Sequence, residues 1–269
     1  MPIHPTAIVE DGARLADGVE VGPFCIVSKD AELGEGVRLL SHVVIAGKTK
    51  IGARTIVHPH AVLGGEAQIF NNNAPQARLE IGSGNVFREG VSISLGSAKG
   101  HNLTKIGNNC FFMAGSHVGH DGVVGDNVTL ANVVSIAGHC ELGDGAIFGG
   151  AAQMQQFGRV GKGAFVSGLS GVARDIIPYG MAIGLHALHG GLNLVGLRRR
   201  GLPREHIHAM RAAYRMIFSE GAKIADGARA AAARWPDVPQ VLEMTDFILA
   251  PAKRAIAPAR DRSAADESE

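Results

Sequence analysis

Apolar residues recur every six positions along most of this chain. Starting at Ile3, eleven consecutive positions spaced six apart are all aliphatic, the last being Leu63. The register breaks over residues 69–78, resumes briefly, breaks again over residues 96–104, and returns from Ile106 to Val172. A period of six matches neither the 3.6 residues of a helical turn nor the simple alternation of a hairpin strand. The pattern therefore indicates a repeated structural unit.

The period predicts a chain that makes a short strand, turns a corner and repeats. Three such sides close one coil of about 18 residues, with the recurring aliphatic side chains stacked inside. Successive coils would pair as parallel sheets. We expect the small residues that follow each aliphatic, such as Gly22 and Gly34, to turn the corner by adopting positive φ. Residues 1–185 are thus predicted to form a parallel β-helix of about nine coils, and the period leaves its handedness open.

The pattern changes after Pro178. Residues 203–218 space their apolar positions three and four apart, which predicts an amphipathic helix. Further helices are expected over residues 224–234 and 241–249, so that residues 186–257 form a small helical domain after the β-helix. Residues 258–269 are nearly devoid of large apolar side chains and are expected to be disordered.

Composition narrows the functional classes. The formal net charge is +1, which argues against nucleic acid as a partner. The three cysteines lie far apart and form no CxxC pair, so we expect neither a disulfide framework nor a zinc ribbon, and a cytoplasmic location. The first residues lack the apolar run of a signal peptide, and no apolar stretch is long enough to span a bilayer. We therefore expect no stable membrane insertion.

One histidine cluster could carry chemistry. His117, His120 and Asp121 lie close together in sequence, and Gly138 and His139 follow one coil later. Because positions 120 and 138 are 18 residues apart, they are predicted to lie on adjacent coils of the same side. A carboxylate beside an imidazole fixes its tautomer and raises its basicity, so His120 could remove a hydroxyl proton. The N–H of Gly138 could then stabilise an oxyanion.

Two other interpretations of this cluster stay open on spacing alone. The chain contains twelve histidines, and several of them on the N-terminal coils, such as His42 and His60, fit ordinary turn positions. His120 could equally be such a turn residue. Three histidines near one side of a coil could also hold zinc between subunits.

Beyond this cluster, several segments resemble the UDP-N-acetylglucosamine acyltransferase family, enzymes of the first step of lipid A synthesis. The similar segments are LEIG (79–82), MAGSHVGHD (113–121), LAN (130–132), IAGH (136–139), QF (156–157), SGVA (170–173) and GLRRRG (196–201). The resemblance implies a left-handed β-helix with a helical cap, assembled as a homotrimer with sites between neighbouring subunits. It implies neither a cofactor nor a metal.

The resemblance also implies residue roles. His120 would be the general base for the glucosamine 3-hydroxyl, Asp121 would orient it, and the Gly138 amide would hold the oxyanion. The donor would be a 3-hydroxyacyl chain on acyl carrier protein. The charge of the basic stretch 198–215 makes it a candidate docking surface for this acidic carrier. Gly168 would leave room for a longer acyl chain. The implied substrate-binding residues are His117, His139, Gln156, Gly168, His186, Asn193, Arg199 and Arg200.

Departures from the family pattern cluster in the acceptor-binding shell. Charged or polar residues of the family are replaced at Ile69, Asn71, Ser94, Leu95, Gln155, Leu185 and Val195. An amino-sugar nucleotide or another glycan precursor, with O- or N-acylation, is therefore an alternative acceptor. A trimeric zinc lyase or a non-catalytic scaffold is a third hypothesis. The sequence leaves open the acyl length and whether the protein is a main enzyme or a diverged second copy.

Overall fold

The computed structural model describes residues 3–260 and contains 27 short strands, numbered in chain order, in three sheets that are parallel except for the final antiparallel pair. The first sheet consists of β1 (Ile8–Val9), β4 (Ile26–Val27), β7 (Val44–Ile45), β10 (Val62–Gly65), β13 (Ser92–Ser94), β16 (His117–Val118), β19 (Ser135–Ile136), β22 (Gln153–Met154) and β25 (Gly171–Val172). The second consists of β2 (Arg14–Leu15), β5 (Glu32–Leu33), β8 (Lys48–Ile51), β11 (Arg78–Ile81), β14 (Leu103–Ile106), β17 (Val123–Val124), β20 (Glu141–Leu142) and β23 (Arg159–Val160). The third consists of β3 (Glu20–Val21), β6 (Arg38–Leu39), β9 (Ile56–Val57), β12 (Val86–Phe87), β15 (Phe111–Phe112), β18 (Thr129–Leu130), β21 (Ile147–Phe148), β24 (Phe165–Val166), β26 (Gly180–Ile183) and β27 (Leu188–Leu192).

The chain visits the three sheets in turn, so it forms the predicted parallel β-helix. Strands three apart pair in parallel, for example Val118 with Ile136 on the next coil. The second residue of each two-residue strand points inward, and from Val21 onward the six-step apolar residues are buried in one continuous core. Near the open N-terminal end the column is less covered, and Ile3 is 46% exposed. The predicted inward column is confirmed.

The prediction that the glycine after each aliphatic adopts positive φ is wrong for Gly22 and Gly34, whereas Gly64 does adopt it (φ 88°). Positive φ occurs two positions later, at residues such as Phe24 (φ 59°) and His42 (φ 54°). Gly22 and Gly34 are instead required by close stacking, since a Cβ on Gly22 would lie 1.3 Å from the Leu40 carbonyl oxygen on the next coil. The small residue therefore lets successive coils approach, and the turn itself is made by the later residue.

The three outer faces of the prism differ in chemistry. On the second sheet, outward side chains alternate in charge through Arg14, Glu32, Lys50 and Glu80, with ion pairs between neighbouring coils. The first sheet carries apolar outward residues on its first four strands and polar or small ones from Ser92 onward, and the third sheet carries Glu20 and Arg38 first and mostly apolar residues from Ile56 onward. The apolar outward residues are Ile8, Ile26, Val44 and Val62 on the first sheet and Ile56, Val86, Phe111, Ile147 and Phe165 on the third.

A helical cap follows the coils. It contains α1 (Leu194–Arg199), α2 (Arg204–Ile217), α3 (Ile224–Arg234) and α4 (Pro239–Leu249). The three predicted helices correspond to α2, α3 and α4, whereas α1 and the antiparallel hairpin β26–β27 were not predicted. The division at 185/186 falls in the turn of that hairpin and stays a prediction. Among the helices described between residues 3 and 260, none is long and apolar enough to cross a membrane.

The last described residues, 259 and 260, lie against the hairpin. The N–H of Arg260 donates to the His189 carbonyl at 2.8 Å, and Ala259 bridges to His189. Residues 261–269 of the predicted tail lie outside the described residues. Cys25, Cys110 and Cys140 are buried and free, and burial raises the pKa of the Cys110 and Cys140 thiols to about 11.

Candidate active site

Two buried side chains, His120 and Asp121, occupy the corner between the first and second sheets, which we call the 1–2 corner. They follow β16, whose Val118 points into the core. Asp121 adopts the left-handed φ of 57° that turns the chain toward the second sheet. One coil later, Gly138 and His139 take the same two positions after β19. The predicted 18-residue stacking thus brings four of the expected residues together.

Four donors converge on the fully buried Asp121 carboxylate. Oδ1 accepts from the backbone N–H groups of Ser97 (3.1 Å) and His101 (2.9 Å). Oδ2 lies 2.5 Å from the Ser97 hydroxyl and 2.9 Å from His120 Nδ1. Burial by itself raises the pKa of Asp121, but the hydrogen bonds from Ser97 and His120 outweigh it and hold that pKa below its ordinary value.

The carboxylate decides the tautomer of His120. An ionised carboxylate can only accept, so Nδ1 of His120 carries the proton in this hydrogen bond. In the neutral imidazole Nε2 then presents a lone pair. The His120 ring is therefore oriented and polarised as a general base.

The His120 ring packs directly against the backbone of Gly138. A Cβ at position 138 would lie 2.4 Å from Cε1 and 2.5 Å from Nε2 of His120, so only glycine leaves room for the ring. In the described part of the chain the Gly138 N–H donates to no protein acceptor. A free backbone N–H beside a base is a suitable donor for an oxyanion.

Two further imidazoles surround the base. His139 meets the His120 ring edge-on at 4.9 Å, and its Nε2 lies 3.9 Å from Asp121 Oδ2. His117 Nδ1 lies 2.8 Å from the Ser92 hydroxyl. Burial lowers the pKa of both His117 and His139. Both rings are consequently neutral at neutral pH.

The loop at residues 96–104 supplies much of this site, and our sequence reasoning missed it. Ser97 and His101 donate to the Asp121 carboxylate, and the Asp121 N–H donates to the Thr104 hydroxyl at 2.9 Å. A Cβ on Gly100 would lie 2.3 Å from the carboxylate. The available signal was the break in the six-residue register, which marks where extra chain leaves the coil.

Other expected site residues lie elsewhere in the same chain. Asn193 caps α1 by accepting from Gly196 N–H, and it donates to the Gly163 carbonyl; Arg200 donates to the Gly145 carbonyl at 2.9 Å. These contacts lie at the corner between the second and third sheets, the 2–3 corner, near which Arg199 ends α1. Gly168 is exposed at the corner between the third and first sheets, the 3–1 corner, and His186 is exposed in the hairpin turn. Only Gln156 continues the His120–Gly138 column.

Some of the positions that depart from the family pattern are buried, and others are exposed. Ser94 and Leu95 are buried, and Leu95 packs in the core. Leu185 and Val195 are instead 73% and 57% exposed. Phe70, between Ile69 and Asn71 on the first loop, is 96% exposed. Apolar side chains thus lie where the resemblance implies polar contacts.

The same cluster has the composition of a metal site. One ligand atom each from His120, Asp121 and His139 lies within 4.8 Å of the others. Both oxygens of Asp121 already accept hydrogen bonds from the protein, and a metal there would displace the His120 Nδ1–H bond. The arrangement therefore fits a carboxylate-supported base better than an ion.

Comparisons with known proteins now bear on this geometry. Residues 175–257 match the family description "Udp N-acetylglucosamine O-acyltransferase; Domain 2", and residues 30–65 match the bacterial transferase hexapeptide repeat. An acyl-[acyl-carrier-protein]–UDP-N-acetylglucosamine O-acyltransferase of Sinorhizobium fredii is 45% identical over 94% of both chains. That of Anaeromyxobacter sp. (strain K) is 50% identical over 84% of this chain and 88% of its own. The chain belongs to the UDP-N-acetylglucosamine O-acyltransferase family.

Solved structures of the family agree with the fold. The enzyme of Moraxella catarrhalis superposes with a TM-score of 0.93 at 36% identity, covering 96% of this chain and all of the other. That of Acinetobacter baumannii gives the same TM-score at 34% identity over the same coverage. The left-handed β-helix with a helical cap, which the resemblance implied, is confirmed, as is the enzyme class of acyltransferase.

Proposed function

We propose that this protein transfers a 3-hydroxyacyl group from acyl carrier protein to the 3-hydroxyl of UDP-N-acetylglucosamine, the first step of lipid A synthesis. Its relatives of 42–50% identity carry the name of this reaction. The observation that carries the proposal is the His120 ring, fixed by the buried Asp121 carboxylate and resting on Gly138. That arrangement provides a base and an oxyanion donor for acyl transfer.

The proposed reaction uses these groups in sequence. Nε2 of His120 takes the proton of the acceptor hydroxyl as its oxygen attacks the thioester carbonyl. The negative charge of the tetrahedral intermediate is held by the Gly138 N–H. When the C–S bond breaks, the departing thiolate takes the proton from His120, which restores the base. Asp121 stays ionised and stabilises the transient imidazolium.

We further propose that the protein works as a homotrimer. Apolar outward residues occupy the first sheet from Ile8 to Val62 and most of the third sheet from Ile56 to Phe165, whereas the outer face of the second sheet is largely charged. If the third sheet of one copy packs on the first sheet of the next, the contact is heterologous and closes around a threefold axis. The 3–1 corner, which joins the third sheet to the first, then lies at the axis. Its outward Val133 and Leu169, 59% and 69% exposed in one chain, would be covered.

This packing explains why the expected site is divided within one chain. Around a threefold axis, the 2–3 corner of one copy lies beside the 1–2 corner of the next. Asn193 and Arg200 would then approach His120 of a neighbouring copy. Light scattering tests the trimer, and mixed assembly tests the shared site. Refolding His120→Ala together with Arg200→Ala should recover activity that neither variant has alone, whereas no recovery contradicts a shared site.

The carrier docking surface is proposed to lie on α2. Arg204, His208, Arg211 and Arg215 are exposed and spaced so that they form one stripe along the helix. Within the described residues none of these arginines pairs with a carboxylate. A cationic stripe suits an acidic carrier protein. Its interaction should weaken steeply with salt. We also propose that the protein is located in the cytoplasm.

A second candidate differs only in the acceptor. Ile69, Leu185 and Val195 are apolar where the family resemblance implies charged or amide side chains, so an acceptor with fewer polar contacts is a specific alternative. Mass spectrometry of products from a panel of sugar nucleotides, with acyl carrier protein donors, decides between them. An O-acylated UDP-N-acetylglucosamine supports the first candidate. An acylated product only from another acceptor supports the second, and no acylated product contradicts both.

A further inference from the structure

The segment after the last helix returns to the candidate active site. Residues 250–257, which we call the strap, leave α4 and cross the 1–2 corner. The N–H of Asp175 donates to the Ala255 carbonyl, and the N–H of Ala257 donates to the Asp175 carbonyl, both at 2.9 Å. Arg254 Nε donates to the Gln156 carbonyl at 3.0 Å. The strap is thus fixed against the coil that follows Gly138 and His139.

The strap places a cation on an aromatic stack. Lys253 Nζ lies 4.0 Å from the centroid of the Phe157 ring. Phe157 stacks on His139 with 4.6 Å between centroids and 9° between planes, and His139 meets His120 edge-on. Within the described residues Lys253 forms no ion pair with a carboxylate. A cation over a ring face is attracted by its quadrupole, so the Lys253 contact favours this position of Phe157.

We propose that Lys253 is a positioning residue for proton transfer, which holds the Phe157–His139 stack against His120 and keeps His139 uncharged. This role deepens the proposed acyl transfer and rests on it. Lys253 touches neither reacting atom, and it acts through Phe157 and His139. No residue of the strap was singled out by the spacing of motifs, because Lys253 and Phe157 are far apart in sequence.

The surroundings of His139 give this role its electrostatic basis. Burial is the main cause that lowers the pKa of His139, Asp121 raises it, and the charges of His120 and Lys253 lower it further. A cavity of about 390 Å³ borders His139 and the strap. The titratable and charged groups that face His139 or line this cavity are His101, His120, Asp121, Glu141, Arg159 and Lys253.

A neutral His139 matters because His120 becomes positive during the reaction. A charge on His139 would repel that positive charge at a ring distance of 4.9 Å. Removing the Lys253 ammonium favours protonated His139 at mildly acidic pH, so it disfavours proton uptake by His120. The acid limb of the rate profile should then move to higher pH.

The test compares Lys253→Met with Lys253→Arg, which keeps the charge, and with Lys105→Met, which removes a lysine from the outer face of the second sheet. Protein labelled with ¹³C at histidine Cε1 is titrated by NMR, and His139→Gln assigns the His139 signal. In Lys253→Met we expect His139 to titrate at higher pH. We also expect kcat to fall about threefold at neutral pH, with little change in KM, as suits the loss of one exposed cation–π contact. Lys253→Arg and Lys105→Met should resemble the wild type.

The NMR readout separates this inference from the proposed function. A folded Lys253→Met protein whose His139 titration and pH–rate profile match the wild type overturns the role of Lys253. An upward shift of the His139 titration that Lys253→Arg reverses supports it. A wild-type protein without acyl transfer contradicts the proposed function, and the titration of His139 still reports the electrostatic coupling on its own.

Discussion

Two corners of the prism carry similar columns of side chains but differ in chemistry. At the 3–1 corner, Phe24, His42 and His60 form a column of tilted rings with centroids 4.9 and 5.1 Å apart. At the 1–2 corner, His139 and Phe157 stack at 4.6 Å. All five residues adopt left-handed φ, and neighbours in each column are 18 residues apart. The repeat therefore brings rings together wherever corner residues are aromatic.

What distinguishes the 1–2 corner is a buried carboxylate with its own donors. Asp121 accepts from His120 and from the loop inserted at residues 96–104. Within the described residues, the rings of His42 and His60 bond to no carboxylate. The coil geometry alone therefore brings imidazole rings together. His120 can act as a base because the loop at residues 96–104, which interrupts the repeat, stabilises the charged Asp121 carboxylate beside it. Four predictions test this difference, from the largest expected effect to the smallest.

Removing the base should give the largest difference in activity between the two corners. His120→Ala should lower kcat by roughly 10²–10⁴-fold, the contribution of a positioned general base. His60→Ala, which removes a ring from the other column, should leave the kcat of assembled protein unchanged. Steady-state acyl transfer, measured on both variants at equal trimer concentration, checks the pair. Near-normal turnover in His120→Ala would defeat the mechanism.

A buried histidine that has no carboxylate partner should contribute to stability and not to catalysis, and His189 is such a residue. His189 is buried, accepts from the Ile177 N–H at Nε2, and lies 2.7 Å from the Ala257 carbonyl through Nδ1. Burial lowers the pKa of His189 to about 4. Between the ordinary histidine pKa and this lowered value, His189 is protonated in the unfolded chain but neutral in the folded one. The free energy of unfolding therefore falls as the pH drops through that interval.

The loss at pH 4 should be on the order of 3 kcal/mol in the free energy of unfolding. Denaturant unfolding at a series of pH values measures it. His189→Gln, which cannot titrate, should show a flatter dependence over the same range. Equal slopes in the two proteins would mean that other groups govern acid stability.

Adding a side chain at Gly138 should displace the His120 ring and so impair the base without removing it. Gly138→Ala would place a Cβ 2.4 Å from the His120 ring and force the ring to move. Because a shift of about 1 Å at a reacting group can cost 10²-fold, we expect a loss of that order in kcat. Gly65→Ala is the control, since its Cβ would meet only Val62 at 3.8 Å. Wild-type kcat in Gly138→Ala would contradict the observed packing.

Deleting one donor to Asp121 should have the smallest effect. Ser97→Ala removes a 2.5 Å hydrogen bond to the carboxylate and should cost about 2 kcal/mol of unfolding free energy, the scale for bonds to a charged group. Ser116 is the matched control, because its buried hydroxyl has no partner in the described structure. Ser116→Ala should therefore be nearly neutral. Thermal unfolding compares them, and similar losses would remove the special role of Ser97.

The site could be predicted from the sequence only in part. The pairing of His120 with Gly138 followed from their spacing of one coil, and the helix over residues 204–217 followed from periodicity. Ser97 and His101 could not be assigned as donors to Asp121, since they lie in a loop outside the repeat.

The sequence by itself determined the coil, its inward column and the neighbours His120 and Gly138. It did so because a fixed repeat converts sequence distance directly into spatial distance. Only the tertiary structure decided that Ser97 donates to Asp121 and that Lys253 contacts Phe157. Such contacts join segments at irregular separations, and their geometry depends on how loop and strap pack against the finished prism.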